Sequence, residues 1–156
     1  MKIYKRLFYP SILVFLLVAC SNEKPVLLEN QSIHDDLPNQ LNEQEAAISM
    51  STDQEIYKKP VKEIILTIEN TGNRTVGIRS GSYVEMLQDG EWYQVPYEHF
   101  SFTDGGVPGI ESGETYEEDV PIDYITFDLI EGRYRIVKDF NLDSEETTLA
   151  AEFSIQ

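Results

Sequence analysis

From about Ala46 onward the chain is written in short runs of apolar residues cut by turn residues, and that period excludes a helical domain. Ile64, Leu66 and Ile68 alternate with Ile65, Thr67 and Glu69, and Asn70-Thr71-Gly72-Asn73 then supplies a turn. Successive side chains of a strand point to opposite faces, so such a run lays one row on a core. Thr75 to Ile78 continues as a second strand, broken by Ser80-Gly81-Ser82. Tyr83 to Gln88 and Glu91 to Val95 flank Asp89-Gly90. Both of those turn residues tolerate positive φ, so a two-residue connection predicts a tight hairpin with antiparallel neighbours. Thr103 to Gly113, dominated by glycine and holding Pro108, reads as a loop crossing between sheets. Strands resume at Thr115 to Val120, and Arg133 to Phe140 and Thr148 to Ile155 bracket an acidic connection. In the last run Leu149, Ala151, Phe153 and Ile155 alternate with Ala150, Glu152 and Ser154, one row for a core and one for water. No segment after Ala47 carries the stripe of a long amphipathic helix. Strands at this spacing over about 110 residues predict an all-β antiparallel β-sandwich.

What holds such a sandwich together is narrowed by the cysteine count. Cys20 is the only cysteine, so the domain has no disulfide of its own and rests on apolar burial. Cys20 ends the sequence Leu17-Val18-Ala19-Cys20, after a basic start (Lys2, Lys5, Arg6) and the apolar run Ile12 to Ala19. The arrangement resembles the lipobox of bacterial lipoproteins. The resemblance implies that residues 1–19 are a signal peptide, that Cys20 becomes the first residue of the mature protein, and that its sulfur carries a diacylglyceryl group. A transmembrane helix is disfavoured, since the run from Leu7 to Ala19 holds Pro10 and Ser11 and falls short of the about 20 apolar residues a span needs. Acyl chains anchor without one. The implied location is the cell membrane, lipid-anchored, on the extracytoplasmic face.

Residues 20–45 are rich in Asn, Gln, Glu and Asp, contain Pro25 and Pro38, and show no sustained periodicity. They read as a flexible acidic tether with a root-mean-square span of roughly 25 to 30 Å. The alternative is a short helix over Pro38 to Ala47, with Leu41, Ala46, Ala47 and Ile48 on one side. Residues 46–156 form the domain. The full chain carries 12 basic and 28 acidic residues, and without the signal 9 face 28, a net charge of −19. A surface of that sign repels polyphosphate, which argues against a nucleic-acid partner.

Four landmarks follow one another in the domain: Gly90-Glu91-Trp92-Tyr93-Gln94-Val95-Pro96, Gly113-Glu114-Thr115-Tyr116, Gly132-Arg133-Tyr134-Arg135-Ile136-Val137-Lys138 and Ala150-Ala151-Glu152-Phe153. Their order and spacing resemble a bacterial immunoglobulin-like domain of exported Bacillus-type proteins, over roughly Ala46 to Ile155. The resemblance implies an immunoglobulin-like sandwich outside the membrane, and it transfers no active site. The chain lacks the inter-sheet disulfide of antibody domains, so antibody-like binding loops do not follow. Tyr134, just inside a strand opened by Gly132, fits the tyrosine corner of sandwiches, in which the hydroxyl bonds back to upstream backbone.

Chemistry-bearing patterns are sparse. Asp139, Asn141, Asp143, Glu145 and Glu146 mimic the start of a calcium loop, but Ser144 stands where such a loop needs glycine and Ala150 where it needs a bidentate glutamate. The pattern reads as a solvated hairpin end. His34 lies in the tether and His99 has no second histidine or cysteine near it, so no zinc site and no metal is expected. No nucleophile elbow or phosphate-binding glycine loop appears, so no cofactor and no catalysis are expected, although an acidic chain always offers carboxylate pairs. Trp92, Tyr93, Tyr97, Phe100 and Phe102 make the densest aromatic stretch. Trp92 and Tyr93 must face opposite ways on a strand, which leaves one of them as a candidate partner contact beside Asp104-Gly105-Gly106. The competing reading has the two rings in different packing layers, or the Trp92 ring covering a sheet edge. The expected function is a non-catalytic interaction or accessory module at the cell envelope, its partner an unidentified protein or envelope polymer. The alternative is a proteinase inhibitor presenting Thr103 to Ile110. A solute-binding role would need a sizeable pocket.

Overall fold

The structure is a computed structural model and describes residues 27–43, 46–79, 81–98, 107–142 and 145–156. Two sheets face each other. The smaller holds β1 (Gln40–Glu43), β2 (Ala46–Thr52), β4 (Ile65–Asn70) and β9 (Thr115–Asp119), in the order β1-β2-β4-β9. The larger is built on β10 (Gly132–Leu142) and β11 (Glu145–Ile155), with β3 (Ile56–Tyr57) on the far side of β11. The other edge of β10 is shared. Its upper part pairs β5 (Val76–Ile78), which carries β8 (Val107–Ile110), and its lower part pairs β6 (Tyr83–Gln88), which carries β7 (Glu91–Gln94). All pairings are antiparallel except β3 with β11, which is parallel.

The alternation read from the sequence sets the core. Ile48 and Met50 of β2 and Leu66 and Ile68 of β4 face Val84 and Met86 of β6, Tyr134, Ile136 and Phe140 of β10, and Leu149, Ala151, Phe153 and Ile155 of β11. Asp89 and Gly90 both take positive φ, 54° and 92°, so the β6–β7 connection is the tight hairpin expected. Buried Asn70 clamps the turn after β4: its Nδ2 donates to the carbonyls of Arg74 (2.7 Å) and Ile110 (2.9 Å), and its Oδ1 accepts from Gly72 N. Gly132 opens β10 with no positive φ. A Cβ there would lie 2.9 Å from Met86 Cε, so glycine allows close approach rather than a turn.

The tyrosine corner is present, with Tyr134 Oη donating to the Ile130 carbonyl at 2.8 Å from a fully buried ring. Tyr134→Phe keeps the ring and orphans that carbonyl, so urea titration should show a loss of about 1 kcal/mol.

Three expectations are corrected. The flexible tether does not extend to Glu45: residues 27–43 lie on the domain, Leu28 enters the core, and Gln40–Glu43 is a strand, which also removes the alternative helix. Thr103 to Gly113 is not loop throughout, because Val107–Ile110 pairs with β5. Finally, β11 does not show one face to water along its length, for Ala150 on its outer side is buried as well.

Candidate functional surface

Buried Ala150 on the outer row of β11 points to what covers it. Residues 30–38 cross the outside of the larger sheet as a strap. At one edge Gln94 N donates to Asn30 O and Ser32 N to Trp92 O, each at 2.8 Å, which closes the free edge of β7 with backbone bonds. At the other edge Ala150 N donates to Pro38 O at 2.9 Å, and the chain then enters the smaller sheet as β1. Between these fixed points the strap has no apolar stripe to bury, and one side chain from the sheet holds it.

That side chain is Arg135. It stands on the outer row of β10, opposite Glu85 of β6. Its Nε donates to Glu85 Oε2 at 2.7 Å, and both side chains are only 1% exposed. The rest of the guanidinium turns to the strap: Nη1 donates to Asp35 O (2.7 Å), and Nη2 to His34 O (2.9 Å) and Ser32 Oγ (3.3 Å). Its carbon lies 4.3 Å from the centroid of the Trp92 ring, a cation–π contact. A planar fork with five donors suits this position, since the point charge of lysine has no matching geometry.

Lys138, on the inner row of β10, makes a second internal pair. Its Nζ reaches across the sandwich to both carboxylate oxygens of Glu118 on β9, at 3.0 and 2.9 Å, and to Gly81 O at 3.3 Å. It fills the place where β10 changes partner from β6 to β5, a break that leaves room for a long polar side chain. Neither Arg135, Glu85 nor Lys138 was singled out from the sequence. The available signal was a charge between apolar neighbours inside a strand, Tyr134-Arg135-Ile136, Val137-Lys138 and Val84-Glu85-Met86.

Within the aromatic stretch, Trp92 is corrected as an exposed contact. Trp92 and Tyr93 do face opposite ways, but Trp92 is buried beneath Arg135 on the outer row, and Tyr93 packs against the core. Tyr97 is half-buried, its Oη accepts from Val84 N at 3.2 Å, and burial pushes its phenol up to about 12. Phe100, Phe102, His99, Asp104-Gly105-Gly106 and Cys20 lie outside the described residues. So does half of the proposed inhibitor loop, whose other half, Val107–Ile110, is held in a strand. Asp139 and Asn141 belong to β10, and Asp139 Oδ1 accepts from Thr148 Oγ1 at 2.7 Å, so that carboxylate is already engaged. Among the described residues no group of three or more His, Cys, Asp or Glu is placed to hold a metal.

Two shallow clefts are formed by described residues. One, of about 530 Å³, lies beside the strap between Trp92, Asp35, Asp36 and the Arg133–Glu152 ion pair (2.7 Å). The other, of about 500 Å³, lies between Pro60 and Val61 and the segment holding Ile122, Phe127 and Leu129.

No curated protein matches the chain. Residues 44–154 match the family model described as a bacterial Ig-like domain, so the strap precedes the matched region. With that match over most of the sequence and two sheets packed on a common core, the chain belongs to the bacterial Ig-like domain family.

Proposed function

We propose that the protein is a lipoprotein of the extracytoplasmic face of the cell membrane, anchored through Cys20, whose Ig-like domain is a non-catalytic interaction or accessory module at the cell envelope. The observation that carries the reading is the sequence Leu17-Val18-Ala19-Cys20 after a short apolar run with a basic start, with Cys20 the sole cysteine. The domain supports it from the other side. Its best-placed charged groups, Arg135 with Glu85 and Lys138 with Glu118, are used in holding strap and sheets together. The partner is an unidentified protein or envelope polymer. Cells given labelled palmitate should incorporate it into the wild-type chain and not into Cys20→Ala. A variant that still carries label overturns the anchoring.

A further inference from the structure

The ordered strap changes where the domain sits relative to its anchor. Six residues separate Cys20 from Leu27, the first described residue. At 3.3–3.6 Å per residue the steps from Cys20 to Leu27 reach about 25 Å at full extension, so one particular end of the sandwich stays near the lipid. That end is fixed by register. Leu28 N donates to Gln88 Oε1, Gln88 precedes the β6–β7 hairpin, and β6 runs beside the start of β10. The start of β10 pairs the end of β11, and β3 lies beside that same end. Lys59 closes the group, its N donating to Gln156 O and its Nζ pairing with Glu131 at 3.2 Å.

This end differs from the rest of the surface in two ways. Three of the five large apolar side chains exposed among the described residues, Leu27, Ile56 and Ile130 (62, 50 and 38%), belong to it, the others being Ile33 on the strap and Tyr124, and Lys59 lines the cleft that holds Val61 and Phe127. The link from β3 to β4 carries Lys58, Lys59 and Lys62, all exposed. Elsewhere among the described residues the cations are scattered: Arg135 and Lys138 are buried in pairs, Arg133 and Arg79 pair with Glu152 and Glu146, and Arg74 sits in the turn after β4. Among the described residues this is the one link where lysines gather. Glu63 stands in the same link, Glu131 pairs with Lys59, and Asp123 and Asp128 line the cleft beside it, so the apolar side chains supply the larger share of the hold and the lysines, within a screening length of about 8 Å, set the preference for anionic headgroups.

Resting on the anchoring proposed above, we propose that the chain-entry end of the sandwich is a membrane-docking surface: Lys58, Lys59 and Lys62 meet anionic headgroups, and Leu27, Ile56 and Ile130 enter the interface. The domain then lies against the bilayer in one orientation, with the turns after β4 and before β9 pointing outward. Exposed apolar side chains and clustered lysines are the two terms that hold peripheral segments at an anionic interface.

The test uses the chain from Cys20 to Gln156, which keeps every described residue, with the Cys20 thiol coupled to a maleimide-headgroup phospholipid in vesicles. On vesicles containing phosphatidylglycerol, amide exchange over 56–63 and 127–131 should slow about threefold or more relative to the uncoupled protein, with 70–78 unchanged. Phosphatidylcholine vesicles should give less protection, and Lys58→Glu/Lys59→Glu/Lys62→Glu should return the anionic case to solution rates. Unchanged exchange at 56–63 and 127–131, equal protection in the triple variant, or protection at 70–78 overturns the proposal. The coupling is chemical, so a Cys20 found unlipidated in cells overturns the anchoring and leaves this readout standing.

Discussion

Arg135→Ala should lower the unfolding free energy by about 3–5 kcal/mol, because it leaves the Glu85 carboxylate buried without its cation and removes the donors that hold the strap. The denaturant midpoint measures that loss. A second readout separates the strap from the sheet: amides of 30–38 should exchange far faster in the variant, including Ser32 N, which donates to Trp92 O in the wild type. Glu85→Ala should destabilise comparably, since the buried guanidinium then loses its counter-charge. The double variant Arg135→Met/Glu85→Leu should be more stable than either single alanine variant, because apolar replacement of a whole buried pair removes the desolvation cost that a half-pair retains. Additivity of the two single losses would mean that the ion pair does not organise this face.

Phe153→Ala should cost about 3–5 kcal/mol as well, for a different reason. The Phe153 ring stacks on Tyr134 (centroids 5.5 Å, planes 18° apart) and receives Tyr57 edge-on (5.4 Å, 83°). It therefore joins β3, β11 and β10 in one aromatic cluster, and truncation opens a cavity among rings that cannot collapse far. The effect should reach Asp53. Tyr57 Oη donates to the Asp53 carboxylate at 2.5 Å, and Ile65 N donates to the same oxygen at 2.9 Å, so Tyr57 bridges the cluster to the smaller sheet. Burial alone would raise that carboxyl, and the hydrogen bonds from Tyr57, Ile65 and Gln54 outweigh it and hold it below the ordinary range. Chemical denaturation gives the stability loss, and the tyrosine near-ultraviolet dichroism should weaken with it.

The parts of this fold that the sequence displays are those where local chemistry and tertiary role coincide. Ile64 to Glu69 and Leu149 to Ile155 show their strand period because one row meets the core, and Asp89-Gly90 shows the hairpin because positive φ is a local demand. The strap is not displayed, since its bonds go from backbone carbonyls to a guanidinium 100 residues away and leave no period in its own sequence. Polar composition at Asn30 to Asp36 therefore looked like tether, although the same composition serves a segment that ties itself down through its backbone. Trp92 failed as a contact residue for a related reason: the outer row of a strand is exposed only while nothing lies over it, and here Arg135 and the strap do. Strand β8 was missed because Val107-Pro108-Gly109-Ile110 has strand-breaking composition. Its Gly109 lets the backbone come close to Val76, where a Cβ would meet the carbonyl at 2.9 Å.

The shared edge of β10 bears on how the chain acquires its structure. Strand β10 is the hub to which β11, β5 and β6 all attach, and it occupies residues 132–142 of a chain of 156. Until that segment is available, β5 with β8 and β6 with β7 are two separate ribbons, and isolated two-stranded ribbons are marginal in water. The strap's anchor, Arg135, arrives equally late. Such long-range pairing gives slow folding set by loop closure rather than by local propensity. A chain that delivers its hub so late remains open until more than four-fifths of it is available, which suits the export proposed above.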